Sequence, residues 1–255
     1  MMSFSKNVMV VDQVTSTNSV LYDSSFEDFP IGSVLQAKRQ SGGRGRGQRS
    51  WISELGGLYI SFLLCPKEVQ GLALLGAYSV IQMCRRDFSV EAKLRWPNDV
   101  TIEERKLAGV LPQAKFLGHR LERAVLGLGL NVSQTLESFP ADLREESTTL
   151  SHFLGQSLVV DEVRDRFLEH FEREYQIFQS TGCAKLCQRC ETYLQGFGEL
   201  RRVEIVKKGG VKETLSTIKG LGREGELLLE DGSQLSGLGL DERFSLEPHF
   251  PPLGL

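Results

Sequence analysis

The spacing of apolar residues changes period along this chain, and each change predicts an element. Val8 to Val11 is a short apolar run that reads as a buried strand. Thr15-Ser16-Thr17-Asn18 follows it, a cluster able to cap a helix. Ser33 to Lys38 and Leu58 to Leu64 read as strands, the second after a Gly56-Gly57 turn. Val69, Leu72, Ala73, Gly76, Val80, Met83 and Cys84 recur at helical spacing and predict an amphipathic helix on a core. Strict alternation then places Val90, Ala92, Leu94 and Trp96 on one face of a half-buried strand, stopped by a Pro97-Asn98-Asp99 turn. Trp96 belongs to the core by that alternation. Val100–Ile102, Leu107–Leu111 and Ala124–Val132 are further strands, and Phe153 to Phe178 is helix-rich, with Asp161 a start and Val163, Phe167, Phe171 and Phe178 on one face.

After Gly196-Phe197-Gly198 the pattern shortens. Arg202–Val206, Glu226–Leu229 and Phe244–Glu247 are strand-like, separated by turns at Gly209-Gly210, Gly222, Gly225 and Asp231-Gly232. This predicts a small β-barrel from residue 196 to 255, behind a larger domain of residues 1–195.

Composition narrows the function class. The 255 residues are 40% hydrophobic and 25% charged, as in a soluble globular protein. A net charge of −3 argues against a general nucleic-acid binder. The N-terminus has no apolar stretch of signal-peptide length and no run reaches a membrane span, so a cytoplasmic protein without membrane attachment is expected. Five cysteines fit reduced thiols. Cys183, Cys187 and Cys190 share a helix face with Leu186, Tyr193 and Leu194, so they read as core and not as metal ligands. No GxxxxGK[ST] occurs, which excludes a phosphate-loop NTPase.

The densest chemistry lies in Gly43-Arg44-Gly45-Arg46-Gly47-Gln48-Arg49-Ser50-Trp51. Glycines permit close backbone approach, and the arginines offer fixed charge and planar donor forks for carboxylate or phosphate. The stretch reads as a clamp that becomes ordered over a phosphorylated ligand, with Trp51 adding an aromatic face.

Four further elements accompany it in order: Ser16-Thr17-Asn18 with Gln40, then Arg95-Trp96-Pro97-Asn98-Asp99, Lys106-Leu107-Ala108-Gly109-Val110, and Gly127-Leu128-Gly129-Leu130-Asn131-Val132. Together they resemble the biotin–protein ligases over nearly the whole chain, including Ser147-Thr148-Thr149-Leu150 and the C-terminal barrel. The resemblance implies an α+β fold: a mixed β-sheet with flanking helices, like class II synthetases, plus a small SH3-like barrel. It implies ATP and biotin as substrates with Mg²⁺, biotinyl-AMP as intermediate, and as acceptor a lysine of the biotin carboxyl carrier domain of a biotin-dependent carboxylase. It also implies a monomer or homodimer. Because the chain starts almost at the catalytic domain, no DNA-binding repressor role is expected.

Carried over residue by residue, the resemblance makes Ser16, Thr17, Asn18, Gln40 and Gly109 biotin contacts. Gly43, Arg44, Gly45 and Arg46 become the clamp, with Arg46, Lys106 and Asp99 catalytic. Arg44, Arg46, Trp51, Asn98, Lys106 and Asn131 become nucleotide contacts, with Trp51 on the adenine. Asp99 either binds Mg²⁺ or orients the incoming lysine. Read alone, Ser16 and Thr17 are equally a helix cap. The chain departs from its relatives at Gly47-Gln48, where a further basic residue and a glycine are common, and at Pro112-Gln113, where proline predicts an edge or bulge. A lipoate or octanoate transferring enzyme is the nearest rival, and octanoyl transfer would need a cysteine beside these motifs.

Overall fold

The computed structural model describes residues 4–25, 28–207, 210–237 and 243–248. The turn expected at Gly209 and the end of the barrel after Pro248 lie outside the described residues. The chain runs β1 (Val8–Val14), α1 (Thr17–Asp23), β2 (Val34–Gln40), β3 (Gly57–Leu64), α2 (Leu72–Asp87), β4 (Lys93–Arg95), β5 (Asp99–Ile102), β6 (Arg105–Leu117) and β7 (Arg120–Asn131). Then come α3 (Ala141–Arg144), α4 (Leu150–Leu154), α5 (Val160–Glu191), β8 (Leu200–Lys207), β9 (Gly210–Leu221), β10 (Leu227–Leu229), β11 (Gln234–Leu235) and β12 (Arg243–Pro248).

Strands β1 to β7 form one mixed sheet in the order β1-β2-β3-β7-β6-β5-β4, with β1 and β2 parallel and the other pairs antiparallel. Period-2 alternation divides its two faces. Leu58, Ile60, Phe62 and Leu64 of β3, with Leu126, Leu128 and Leu130 of β7, enter the main core under α2 and α5. There Phe4, Phe62, Phe167, Phe171 and Tyr175 form an aromatic cluster, Phe62 and Phe171 having centroids 4.4 Å apart. The opposite face carries α1, seated on Leu35, Leu63 and Val125 through Leu21. Beside α1 that face stays open, because β7 places Gly127, Gly129 and Asn131 there.

The second sheet is antiparallel, ordered β11-β10-β9-β8-β12. It closes on the first through Trp96, buried, whose Nε1–H donates to the Gly225 carbonyl at 2.9 Å. The α+β class and the small C-terminal sheet agree with the sequence reading. Among the described residues no helix is long and apolar enough to cross a membrane.

Several elements differ from expectation for identifiable reasons. β1 is an edge strand, so Met9 and Val10 are exposed, 48% and 44%, and its apolar run is not a buried one. The alternation at 90–96 yields only β4, since Val90 and Ala92 pack against the core without strand pairing. Asp99 belongs to β5 and not to the preceding turn, where the Trp96–Pro97 peptide is cis. The two C-terminal helices form one element, α5, kinked at Gly182 (φ 76°). Its cysteines are buried, with Cys183 and Cys187 sulfurs 3.7 Å apart, and among the described residues no group of three or more His, Cys, Asp or Glu could hold a metal ion. β9 was missed because Lys212, Glu213, Thr214 and Ser216 dilute its apolar signal. At Pro112 the strand does not stop. Val110 donates its N–H to Asn98, so Pro112, two residues on, turns its nitrogen the same way, beyond the end of β5 where no partner is lost.

Candidate functional site

A cavity of about 230 Å³ opens on the glycine-bearing face of the large sheet. Every residue given a binding or catalytic role from the sequence lines it except Gly43. That residue sits at the base of the loop, where a Cβ would come within 2.4 Å of the Trp51 carbonyl.

One end of the cavity is neutral and polar. Ser16 caps α1, its Oγ accepting from the Ser19 N–H at 3.5 Å, and it also lines the cavity. Gln40 Oε1 accepts from Thr17 N at 2.8 Å and Thr17 Oγ1 at 3.2 Å, while its Nε2 donates to Ser53 Oγ at 2.9 Å. Ser61 Oγ lies 2.7 Å from Thr17 Oγ1 and donates to Asn18 Oδ1 at 2.7 Å. Asn18 Nδ2 donates to the Leu111 carbonyl at 2.9 Å and to Gln113 Oε1 at 3.2 Å. A Cβ on Gly127 would stand 2.2 Å from Asn18 Oδ1, so only glycine admits this network.

The other end is basic. Residues 43–51 fold as a closed turn with Gly45 N to Arg49 O at 2.7 Å, Trp51 N to Gly43 O at 2.9 Å, and Gly47 at φ 59°. The loop therefore carries backbone hydrogen bonds of its own. It buries Arg46 to 7% exposure and leaves Arg44 exposed on the cavity rim. Trp51 drops inward onto Gly109 and Gly129, where a Cβ would approach its ring to 2.9 and 2.3 Å. Its Nε1 is buried with no hydrogen-bond partner among the described residues.

Lys106 bridges the two ends. Its ammonium lies 2.7 Å from Asp99 Oδ2 and 5.2 Å from the Trp51 ring centroid. A register shift explains how it gets there. Thr101 pairs with Lys106 and Val100 with Ala108, leaving Leu107 as the extra residue of a β-bulge. Without it Lys106 and Gly109, three apart, would face opposite sides; with it both face the cavity. The Lys106 backbone is pinned to the 146–148 segment, its N–H on Glu146 O at 2.6 Å and its carbonyl accepting from Thr148 N at 2.9 Å. Asn131 Nδ2 adds bonds to Thr148 O at 3.1 Å and Lys106 O at 3.4 Å. Asn98 Nδ2 is likewise committed, to Val110 O at 2.8 Å.

Asp99 and Glu146 are the carboxylates on the lining. One or two carboxylates suit Mg²⁺ that arrives on phosphates and takes its remaining ligands from them and from water. No cysteine lines the cavity among the described residues. Sequence reasoning missed Ser61, Phe139, Leu143 and Glu146, and it named Gln113 and Ser147 without giving either a site role. A serine inside the apolar run Leu58–Leu64 was a signal for the first; the 139–146 segment carries none, being brought in by the tertiary fold.

A model of the Biotin/lipoate A/B protein ligase family matches residues 10–131. The chain is 28% identical over 230 residues to the bifunctional ligase/repressor BirA of Bacillus spizizenii, covering 88% of this chain and 70% of that protein. It is 33% identical over 143 residues to the biotin–[acetyl-CoA-carboxylase] ligase of Mycobacterium tuberculosis, 52% of each. Among solved structures, the biotin protein ligase from Aquifex aeolicus in complex with biotin and ATP superposes with a TM-score of 0.80 at 27% identity, over 95% of this chain and 100% of that one.

Proposed function

We propose, from the match of residues 10–131 to the Biotin/lipoate A/B protein ligase family and the likeness to biotin protein ligases, a two-step reaction: biotin and ATP give biotinyl-AMP and pyrophosphate, then biotin passes to a carrier lysine. The observation that carries this reading is one cavity joining the Thr17–Gln40–Asn18 network to Lys106 and Arg46.

Bringing a carboxylate to a phosphate costs about 4 kcal/mol at ~4 Å with an effective dielectric near 20. Lys106 supplies a compact positive charge where the biotin carboxylate meets the α-phosphorus, and Arg44 and Arg46 supply forks for the phosphate oxygens. The carboxylate oxygen forms the new P–O bond as the bond to pyrophosphate breaks. Asp99 would be the protein ligand of a Mg²⁺ ion arriving with ATP, which would supply charge neutralisation at the phosphates, or else Asp99 orients the acceptor amine. Ser16, Thr17, Asn18 and Gln40 offer the donors and acceptors a ureido ring needs, and Gly109 leaves the chain room to pass. Trp51 supplies the face for adenine, while Asn98 and Asn131 hold the start of β5 and the Lys106 strand around the nucleotide. In the second step the acceptor amine attacks the acyl carbon, loses a proton, and AMP leaves. Water exclusion by the 43–51 loop protects the anhydride meanwhile.

Residues 1–195 make up the catalytic unit and 196–255 the accessory barrel. The partner is a biotin carboxyl carrier domain, met in the cytoplasm by a monomer or homodimer that needs no DNA.

The test is incubation with ATP, Mg²⁺ and biotin. Biotin-dependent ATP–pyrophosphate exchange and subsequent labelling of a carrier domain are expected, with no exchange when lipoate replaces biotin. Equal exchange with lipoate, or none with either, would overturn the reading.

A further inference from the structure

The turn joining β5 to β6 consists of two glutamates, and both have positive φ, 48° at Glu103 and 63° at Glu104. Two-residue turns with this pattern favour Asn-Gly and similar pairs, because a Cβ is strained there. Such conformations persist only when surrounding structure imposes them. Here the imposition falls on one of the two residues. Arg95, on the cavity lining, donates from Nη2 to the Glu104 carbonyl. Gln195 Nε2 donates to Glu104 Oε1 at 3.3 Å, and Gln195 Oε1 accepts from Thr101 Oγ1 of β5 at 2.8 Å. Arg201 of β8, buried, holds Nη1 3.6 Å from the same carboxylate oxygen. The exposed Glu103 side chain has no such tie among the described residues.

The consequence concerns register. β5 has four residues, and the bulge at Leu107 follows the turn immediately. A slip of one residue in so short a ladder would turn Lys106 or Asp99 away from the cavity. We propose that Glu104 is a positioning residue for biotin activation: gripped by Arg95, Gln195 and Arg201, it locks the turn and fixes how Asp99 and Lys106 face one another. Through Arg201 the C-terminal sheet takes part in the first chemical step without touching substrate. This inference rests on the ligase reading above.

Full-length E103G, E104G and E104Q test it. Both glycine variants relieve the strained φ, and only changes at 104 loosen the grip. E103G keeps kcat for biotin-dependent ATP–pyrophosphate exchange within about twofold of the parent, as expected for a surface change. E104G loses roughly three- to tenfold in kcat, the scale of one or two hydrogen bonds, with KM for biotin unchanged because other elements build that end of the cavity. All three variants keep the main-chain carbonyl held by Arg95, and E104Q, which unlike E104G also keeps an acceptor for Gln195, falls between E103G and E104G. Hydrogen exchange at the 106–109 amides speeds up in E104G and not in E103G. Equal behaviour of E103G and E104G in both measurements would overturn the proposal. Absence of exchange in the parent protein would defeat the ligase reading alone, and amide protection would still decide for or against the lock.

Discussion

Gly129 lies directly under the indole of Trp51, with room between them for no side chain: a Cβ at 129 would stand 2.3 Å from Trp51 Cε2. Leu128 and Leu130 point into the core on either side, so the alternation of β7 itself decides which residues form the cavity floor. Gly129→Ala is therefore expected to lift Trp51 and raise KM for ATP roughly tenfold or more, the scale of an overpacking cost. Steady-state exchange kinetics at varied ATP check it, and an unchanged KM would show that the seat of the indole does not matter for nucleotide.

At the neutral end the corresponding change is Gly127→Ala. It drives a methyl group onto Asn18 Oδ1, at 2.2 Å, and disrupts the Asn18–Ser61–Thr17 chain. Calorimetric biotin affinity should fall at least about tenfold, whereas Ser61→Ala, which removes one buried hydroxyl, should cost about 1 kcal/mol. ATP binding without biotin should be unaffected in both.

Lys106→Ala and Arg46→Ala should separate the two steps. Removal of the ammonium is expected to slow biotinyl-AMP formation about 100-fold or more, with biotin binding little changed. Loss of the buried Arg46 fork should speed dissociation of preformed biotinyl-AMP. Single-turnover formation and release of labelled adenylate measure each, and a normal formation rate in Lys106→Ala would remove that residue from the chemistry.

The cysteines give a prediction independent of catalysis. Cys65 is exposed and the other four are buried. Burial pushes the Cys84 thiol up to about 12 and raises Cys190 as well, while the hydrogen bond with Cys187, then burial, raises Cys183. For Cys84 the thiolate fraction at pH 8 is then about one part in 10⁴, and the thiolate is the reactive form. A thiol reagent at pH 8 should modify one group per native chain, at Cys65, and the rest only on unfolding. Rapid modification of Cys183 or Cys187 in the native protein would contradict the packing described.

Where the sequence was legible, a single period governed a segment. Leu58–Leu64 is a continuous apolar run buried along its whole length, Ala124–Val132 is a strand rich in buried aliphatic residues, and Phe167 and Phe171 share one helical face, so these were read directly. The cavity was legible through residues whose chemistry is unusual for their place, such as the glycine–arginine loop and Lys106. What stayed hidden depends on partners distant in sequence. β1 is exposed because, among the described residues, nothing pairs with its outer edge, and Glu146 and Ser147 reach Lys106 through a bridge between segments about forty residues apart. The bulge at Leu107 was equally invisible, since one additional residue in a ladder leaves no trace in hydropathy.

Trp96 holds the Gly225 carbonyl across a gap of 129 positions, and Gly237 stands so near that a methyl there would meet Pro97 at 2.8 Å. Splitting the polypeptide just past α5 would bare that large ring and strand its donor in water. A fragment ending at Glu191 should therefore self-associate when expressed by itself, because the second sheet is what covers that ring.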